Sequence, residues 1–184
     1  MKRSGRIVVV SHCILNVHSL EDNLSEYQGV EEDVLKLLIS KGVGIFQIPC
    51  PEMDLQGIFR KALPKDAYEN PKIRAHYKKM AKNIVRHLVW FKKRGYDIVA
   101  VLGAEGSPTC GISKVGRWKN ERGKREFPRD IEFVEGMGVF MEEFEKELKE
   151  VGIKPLWIGI PGKSLKSQNH KIFEKALSKI RELL

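Results

Sequence analysis

Apolar positions along the chain follow two periods, and their alternation predicts the elements. Ile7, Val8, Val9 and Val10 form an unbroken apolar run that ends at Ser11, as a short strand buried on both faces requires. A polar stretch covers 16–28, and over 30–38 apolar residues return at helical spacing, with Gly42 placed as the C-terminal cap. A second strand is predicted over 43–48, stopped by Pro49, Cys50 and Pro51 because proline donates nothing to a ladder. About twenty residues without periodicity follow, longer than an ordinary strand-to-helix connection, and such length points to a functional loop.

The clearest helix lies over 72–94, where Ile73, Tyr77, Met80, Ala81, Ile84, Leu88 and Phe91 keep to one stripe and Gly95 ends it. A third strand over 97–102 runs into 103–111, whose three glycines and one proline predict a loop. After a basic stretch, helical spacing returns over 131–151 through Val134, Met137, Met141, Phe144 and Leu148, although Gly136 and Gly138 weaken its first half. A fourth strand is predicted over 155–160, and an amphipathic helix over 169–184, capped by Ser167 or Asn169, closes the chain. Four strands alternating with helices predict an α/β fold, a three-layer sandwich around a mostly parallel, Rossmann-like sheet, formed by residues 1–184 as one domain. In such sheets ligands bind beyond the carboxyl ends of the strands, near the switch in strand order.

Composition narrows the setting. The N-terminal apolar run is far shorter than that of a signal peptide, and no stretch approaches the ~20 apolar residues of a membrane helix, so a cytoplasmic protein without a membrane partner is expected. Lys and Arg number 33 against 24 Asp and Glu, a net charge of +9 that favours nucleic acid or phosphorylated ligands without choosing between them. Lys and Glu dominate the charged residues, a balance also found in proteins from hot environments.

Three cysteines, an odd number, argue against a disulfide framework and leave the thiols available for metal or catalysis. Cys13 follows the first predicted strand, Cys50 the second, and Cys110 lies in the glycine-rich loop after the third, so all three fall on the edge where α/β enzymes work. Three thiolates suit zinc with a fourth ligand such as His12 or His18, or a four-iron cluster with one iron open. Spacing alone leaves both open. Cys50-Pro51-Glu52 puts a carboxylate two residues from one thiol, where it can move protons, and Ser107-Pro108-Thr109-Cys110-Gly111 puts a hydroxyl and flexible amides around another.

These segments together, Ser11-His12-Cys13-Ile14-Leu15-Asn16, Cys50-Pro51-Glu52 and Ser107-Pro108-Thr109-Cys110-Gly111, resemble the thiouracil desulfurase family in order and spacing over most of the chain. The resemblance implies a [4Fe-4S] cluster on Cys13, Cys50 and Cys110, with Glu52 and Ser107 as catalytic residues and Ser11, His12, Asn16 and Gly111 near the substrate. The implied reaction converts C=S to C=O in a small thiolated base or nucleoside, with the substrate sulfur at the open iron. Two loops depart from the family pattern: Asn16, Val17, His18 and Ser19 stand where an Arg-Tyr-Asp-Gly-like stretch is expected, and Asp54-Leu55-Gln56-Gly57 replaces a Gly-Gly-Leu.

The loop over 114–129 carries Lys114, Arg117, Lys119, Arg122, Lys124, Arg125 and Arg129, with Trp118 and Phe127 interleaved and only Glu121 and Glu126 opposing. Basic side chains beside aromatics grip phosphates and stack on unpaired bases, so this loop is a candidate contact for tRNA. Two further readings stay open: a zinc-stabilised RNA-binding module without catalysis, and a sulfur-transfer enzyme running toward thiolation. A phosphate loop at 103–111 is a weaker reading, lacking both G-x-x-x-x-G-K-[ST] and G-x-G-x-x-G. Of the histidines, His76, His87 and His170 fall in predicted helices, and His12 and His18 flank Cys13.

Overall fold

A computed structural model of the chain describes residues 3–21, 24–25, 27–119, 126–161 and 170–184. Four strands form one parallel sheet, β1 (Arg6–Val10), β2 (Gly44–Gln47), β3 (Asp97–Glu105) and β6 (Leu156–Pro161), in the order β2-β1-β3-β6. A separate antiparallel ribbon pairs β4 (Lys114–Trp118) with β5 (Ile131–Glu135). The helices are α1 (His12–Leu15), α2 (Glu32–Ser40), α3 (Pro51–Gln56), α4 (Pro71–Lys93), α5 (Val139–Glu150) and α6 (His170–Leu183). The α/β fold expected from the sequence is therefore present.

Alternate residues of β1 face opposite layers, as the period of a strand demands. Ile7 and Val9, with Val101 of β3, pack against Tyr77, Ala81 and Leu88 of α4 and Phe140 and Phe144 of α5. Val8 and Val10, with Leu102 and Ile158, pack against Val34 and Leu38 of α2 and Phe173 and Leu177 of α6. Each such fully buried apolar side chain contributes roughly 1.5–3 kcal/mol. The two layers anchor the sheet from both sides, so the loops at its carboxyl edge rise from a rigid base.

Three segments differ from the sequence expectation. The third strand continues through Gly103 to Glu105, because six residues of β3 pair with β6 while the strand's N-terminal half pairs with β1. The stretch over 131–151 divides: its first part is β5, and Gly136, at φ 152, turns the chain before α5 begins. An isolated ribbon exposes one face and so carries little of the apolar alternation that would announce it, which is why the basic stretch hides β4 as well. The aperiodic region after β2 contains α3, with Cys50 at its N-cap and Pro51 at the first helical position, where a missing N–H costs nothing. The proposed caps Ser167 and Asn169 lie outside the described residues. Among the described residues no helix is long and apolar enough to cross a membrane.

Candidate functional site

The strand order reverses at β1, whose neighbours are β2 on one side and β3 on the other. Chains leaving these three strands at their carboxyl ends must diverge there, opening a crevice. Ser11 ties this edge together, its N–H donating to the Leu102 carbonyl at 3.0 Å, and Ile48 donates to Val10 at 3.0 Å. Cys13 follows β1 in α1, Cys50 follows β2 at the head of α3, and Cys110 follows β3. All three are free thiols, Cys13 half-buried and the other two buried.

Loss of hydration raises all three thiol pKa values. Cys13 is pushed up to about 12, with Cys50 and Glu52 adding to the burial term, and Cys110 is raised well above its usual value by burial and then by Cys13 and Cys50. Cys50 is raised by burial too, but the N–H of Met53, 3.5 Å from its sulfur, and the Arg60 guanidinium favour its thiolate. The metal-free chain therefore holds its thiols protonated at neutral pH, and a metal would bind by displacing those protons.

Glu52, in the first turn of α3, is buried against this edge. Its Oε1 accepts from Thr109 Oγ1 at 2.9 Å and Ser107 Oγ at 3.3 Å, and its Oε2 accepts from the Tyr68 hydroxyl at 3.3 Å. Burial, then the neighbouring Glu21 carboxylate, pushes its pKa up to about 8, against the smaller opposing pull of Arg60 and Thr109. At neutral pH Glu52 is mainly a protonated acid in contact with hydroxyl donors. Ser107 also organises its own loop: its Oγ accepts the N–H of Cys110 at 3.0 Å and of Thr109 at 3.3 Å.

Arg60 completes the cluster. Its Nη2 donates to the Ser19 carbonyl at 2.6 Å and lies 3.8 Å from Cys50 Sγ, while its Nε is 3.1 Å from Glu21 Oε1 and 3.6 Å from Glu52 Oε2. Glu21, Arg60, Tyr68 and Thr109 did not stand out in the sequence. Glu21 and Arg60 sit in aperiodic stretches where a buried charge looks like a solvated one; only Thr109, inside the Ser-Pro-Thr-Cys-Gly segment, carried a local signal.

The remaining sequence candidates take varied places. The Ser11 hydroxyl is fully buried and has no hydrogen-bond partner. His12 Nδ1 lies 2.8 Å from Gln47 Nε2, and burial lowers its pKa, favouring neutral imidazole. Asn16 Oδ1 accepts the His18 N–H at 3.2 Å, which caps the turn over Val17–Ser19, and His18 itself is exposed. Gly111 is enclosed: an added Cβ would lie 2.4 Å from the Lys114 carbonyl, and its own carbonyl accepts from Gly138 at 2.8 Å. His76 pairs with Asp54 at 2.7 Å and His87 stacks on Trp90, both away from the thiols, and the side chain of His170 lies outside the described residues.

In the basic stretch Arg117 is engaged twice, forking onto Glu69 at 2.8 and 2.9 Å and reaching Asp66 at 3.3 Å, and Arg129 lies near Glu126 and Asp130. Much of its charge is thus neutralised within the protein. Arg122, Lys124 and Arg125 lie outside the described residues.

The donor set can be weighed against a metal group. Among the described residues no three His, Cys, Asp or Glu side chains are gathered to hold a single metal ion. A tetrahedral zinc ion keeps its thiolates within about 4 Å of one another. Three thiols on three separate loops, with no carboxylate or imidazole gathered among them, suit a polynuclear cluster that takes each thiolate on its own iron.

Comparison with known proteins places the chain. The family described as "Putative 2-thiouracil desulfurase" matches residues 5–151. A protein of Methanocaldococcus jannaschii, called "Uncharacterized protein MJ0003", is 33% identical over 182 residues, which cover 99% of each chain. Among solved structures, the [4Fe-4S]-dependent thiouracil desulfidase TudS aligns with a TM-score of 0.47 and 19% identity, covering 94% of this chain and 97% of its own.

Proposed function

The chain belongs to the 2-thiouracil desulfurase family, and on that premise we propose that it removes sulfur from a thiolated pyrimidine, as base, nucleoside or RNA, at the edge where Cys13, Cys50 and Cys110 lie beside Glu52. The observation that carries this reading is a buried carboxyl, held by Thr109, Ser107 and Tyr68, next to three free thiols at the switch point of a parallel sheet.

Cys13, Cys50 and Cys110 would hold a [4Fe-4S] cluster one protein ligand short of full ligation, and such a cluster supplies a Lewis-acidic iron to a thiocarbonyl sulfur. The net reaction consumes one water, exchanges C=S for C=O and releases sulfide, with no change in oxidation level. Glu52 starts protonated and gives its proton to the departing sulfur while water adds to the ring carbon. The carboxylate so formed takes a proton back from the added water, so Glu52 ends as it began. Ser107 and Thr109 fix Oε1 through both steps, and the Tyr68 hydroxyl, its pKa raised by burial, stays protonated as a donor to Oε2.

Purification without oxygen, with iron and acid-labile sulfide analysis followed by incubation with 2-thiouracil, tests the reading. The expected outcome is about four irons per chain and conversion of 2-thiouracil to uracil with release of sulfide, followed by mass spectrometry. Parallel incubations with a thiolated nucleoside and a thiolated RNA rank the substrates. An iron-free protein that leaves all three intact overturns the proposal.

A further inference from the structure

Arg60 is the feature of the site that the proposed chemistry leaves without a task. It is a charged residue whose side chain is only 1% exposed, and ions are not taken out of water unless something compensates them. The compensation is spread over three chain segments. Ser19 and Glu21 lie in the connection after β1, Cys50 and Glu52 lie at the head of α3, and Arg60 itself belongs to the loop that follows α3. One planar group therefore links the segment carrying Cys13 to the segment carrying Cys50 and the proton-bearing Glu52. No other Lys or Arg side chain is recorded in hydrogen bond or ion pair with Cys50 or Glu52 among the described residues.

The compensation is also incomplete. Nη1 and Nε are buried and make no hydrogen bond that meets normal geometry, although Nε lies close to two carboxylates. A buried charged donor left unsatisfied costs on the order of 1–3 kcal/mol or more, so such a group is retained where a ligand completes it. Two acceptor-rich partners belong beside Cys50: the thiolate that replaces its thiol on metal binding, and the sulfur atoms of the group held there.

We propose that Arg60 is the positioning residue of this site, a fixed cation that sets Glu52 against Cys50 and donates its remaining N–H groups to the sulfur-rich group held at Cys50. The proposal rests on the desulfurase reading above. Its planar fork is essential, because a lysine ammonium is a single point on a flexible stem and cannot reach the Ser19 carbonyl, Glu21, Glu52 and Cys50 together.

The full-length chain and its Arg60→Gln, Arg60→Lys and Glu21→Gln variants, reconstituted with iron and sulfide without oxygen, separate the possibilities. Three quantities are read: iron per chain, the midpoint potential of the bound cluster, and kcat and KM for 2-thiouracil. Arg60→Gln removes a positive charge beside Cys50, so its cluster is lost more readily and titrates at a more negative potential, with kcat lower by at least about tenfold. Arg60→Lys keeps the charge and restores the potential toward that of the unaltered chain, yet kcat stays low with KM little changed. Glu21→Gln keeps the shape and frees Nε, moving the potential the other way; it also serves if Arg60→Gln does not fold. Unchanged iron content, potential and kcat in Arg60→Gln, or in Glu21→Gln where the former does not fold, overturn the assignment to Arg60 alone. An unaltered chain that takes up no iron and leaves 2-thiouracil intact overturns the desulfurase reading and Arg60's role with it.

Discussion

At the residue scale, the Glu52 carboxyl is surrounded by three hydroxyl donors and one guanidinium, and a neutral amide of the same shape can accept most of those bonds. Glu52→Gln should therefore fold normally and still take up iron, while proton transfer fails. The expected loss is about 10²- to 10⁴-fold in kcat, measured as uracil formed from 2-thiouracil. The same carboxyl makes the metal-free chain sensitive to pH, and the sign follows from its pKa being raised from 4.5 to about 8. The folded chain binds this proton more tightly than the unfolded chain does, so its contribution is full below 4.5 and is lost as pH rises toward 8. Thermal unfolding of the metal-free protein should show Tm falling across that window, and Glu52→Gln should flatten part of the fall. A parallel slope in the variant would mean that Glu52 is not the group responsible.

At the element scale, the position of Cys110 depends on glycines. An added Cβ at Gly138 would lie 2.3 Å from the Thr109 carbonyl group, and one at Gly103 would lie 2.3 Å from the Cys110 carbonyl. Glu105, at the end of β3, holds the rest of the loop: its carboxylate accepts the N–H groups of Ile112, Ser113 and Lys114 at 2.9 to 3.2 Å. Glycine content made 103–111 read as a loop from sequence, yet Gly103 belongs to β3 and is there for close approach, a role that composition cannot distinguish from flexibility. The ribbon of β4 and β5 stayed hidden for a different reason. Its Val134 falls at a spacing that α5 continues, so a helical period runs unbroken across the turn at Gly136. Gly138→Ala must push the backbone of Thr109 aside, costing about 1–3 kcal/mol, roughly 3–10 °C in Tm for a chain of this size. It should also reduce desulfurase activity, because Thr109 carries a 2.9 Å bond to Glu52. Gly29→Ala, where an added Cβ meets nothing within 4 Å, is the control and should leave both unchanged.

At the scale of the whole molecule, the strand ends were legible and their bracing was not. Ile7 to Val10, the 72–94 stripe and the breakers after each strand were enough to put three cysteines on one edge, because periods of two and 3.6 are local properties of the chain. Glu21, Arg60 and Tyr68 reach the same edge through tertiary contacts that no local period encodes. The loop from Arg60 to Asn70 is braced in the same nonlocal way. Lys65 is buried, with its ammonium 2.5 Å from Glu142 of α5 and 3.6 Å from Glu69, while Arg74 of α4 reaches Glu142 at 2.7 Å and Glu143 at 2.9 Å. Arg117 of β4 closes the network on Glu69. Breaking a fully buried pair costs about 3–5 kcal/mol, but Glu142 is 27% exposed and Lys65 keeps Glu69. Glu142→Gln should then cost about 1–2 kcal/mol by denaturant unfolding. The network also sets the acid limit. Hydrogen bonds from Arg117 hold the Glu69 pKa below its ordinary 4.5, so its contribution is present above that pH and is lost as pH falls beneath it. Since Glu52 weakens the metal-free chain as pH rises above 4.5 and Glu69 weakens it below, Tm should peak in mildly acidic buffer. Arg117→Gln should blunt the acid limb alone, and loss of the alkaline limb instead would show that the ribbon, rather than Glu52, governs stability at neutral pH.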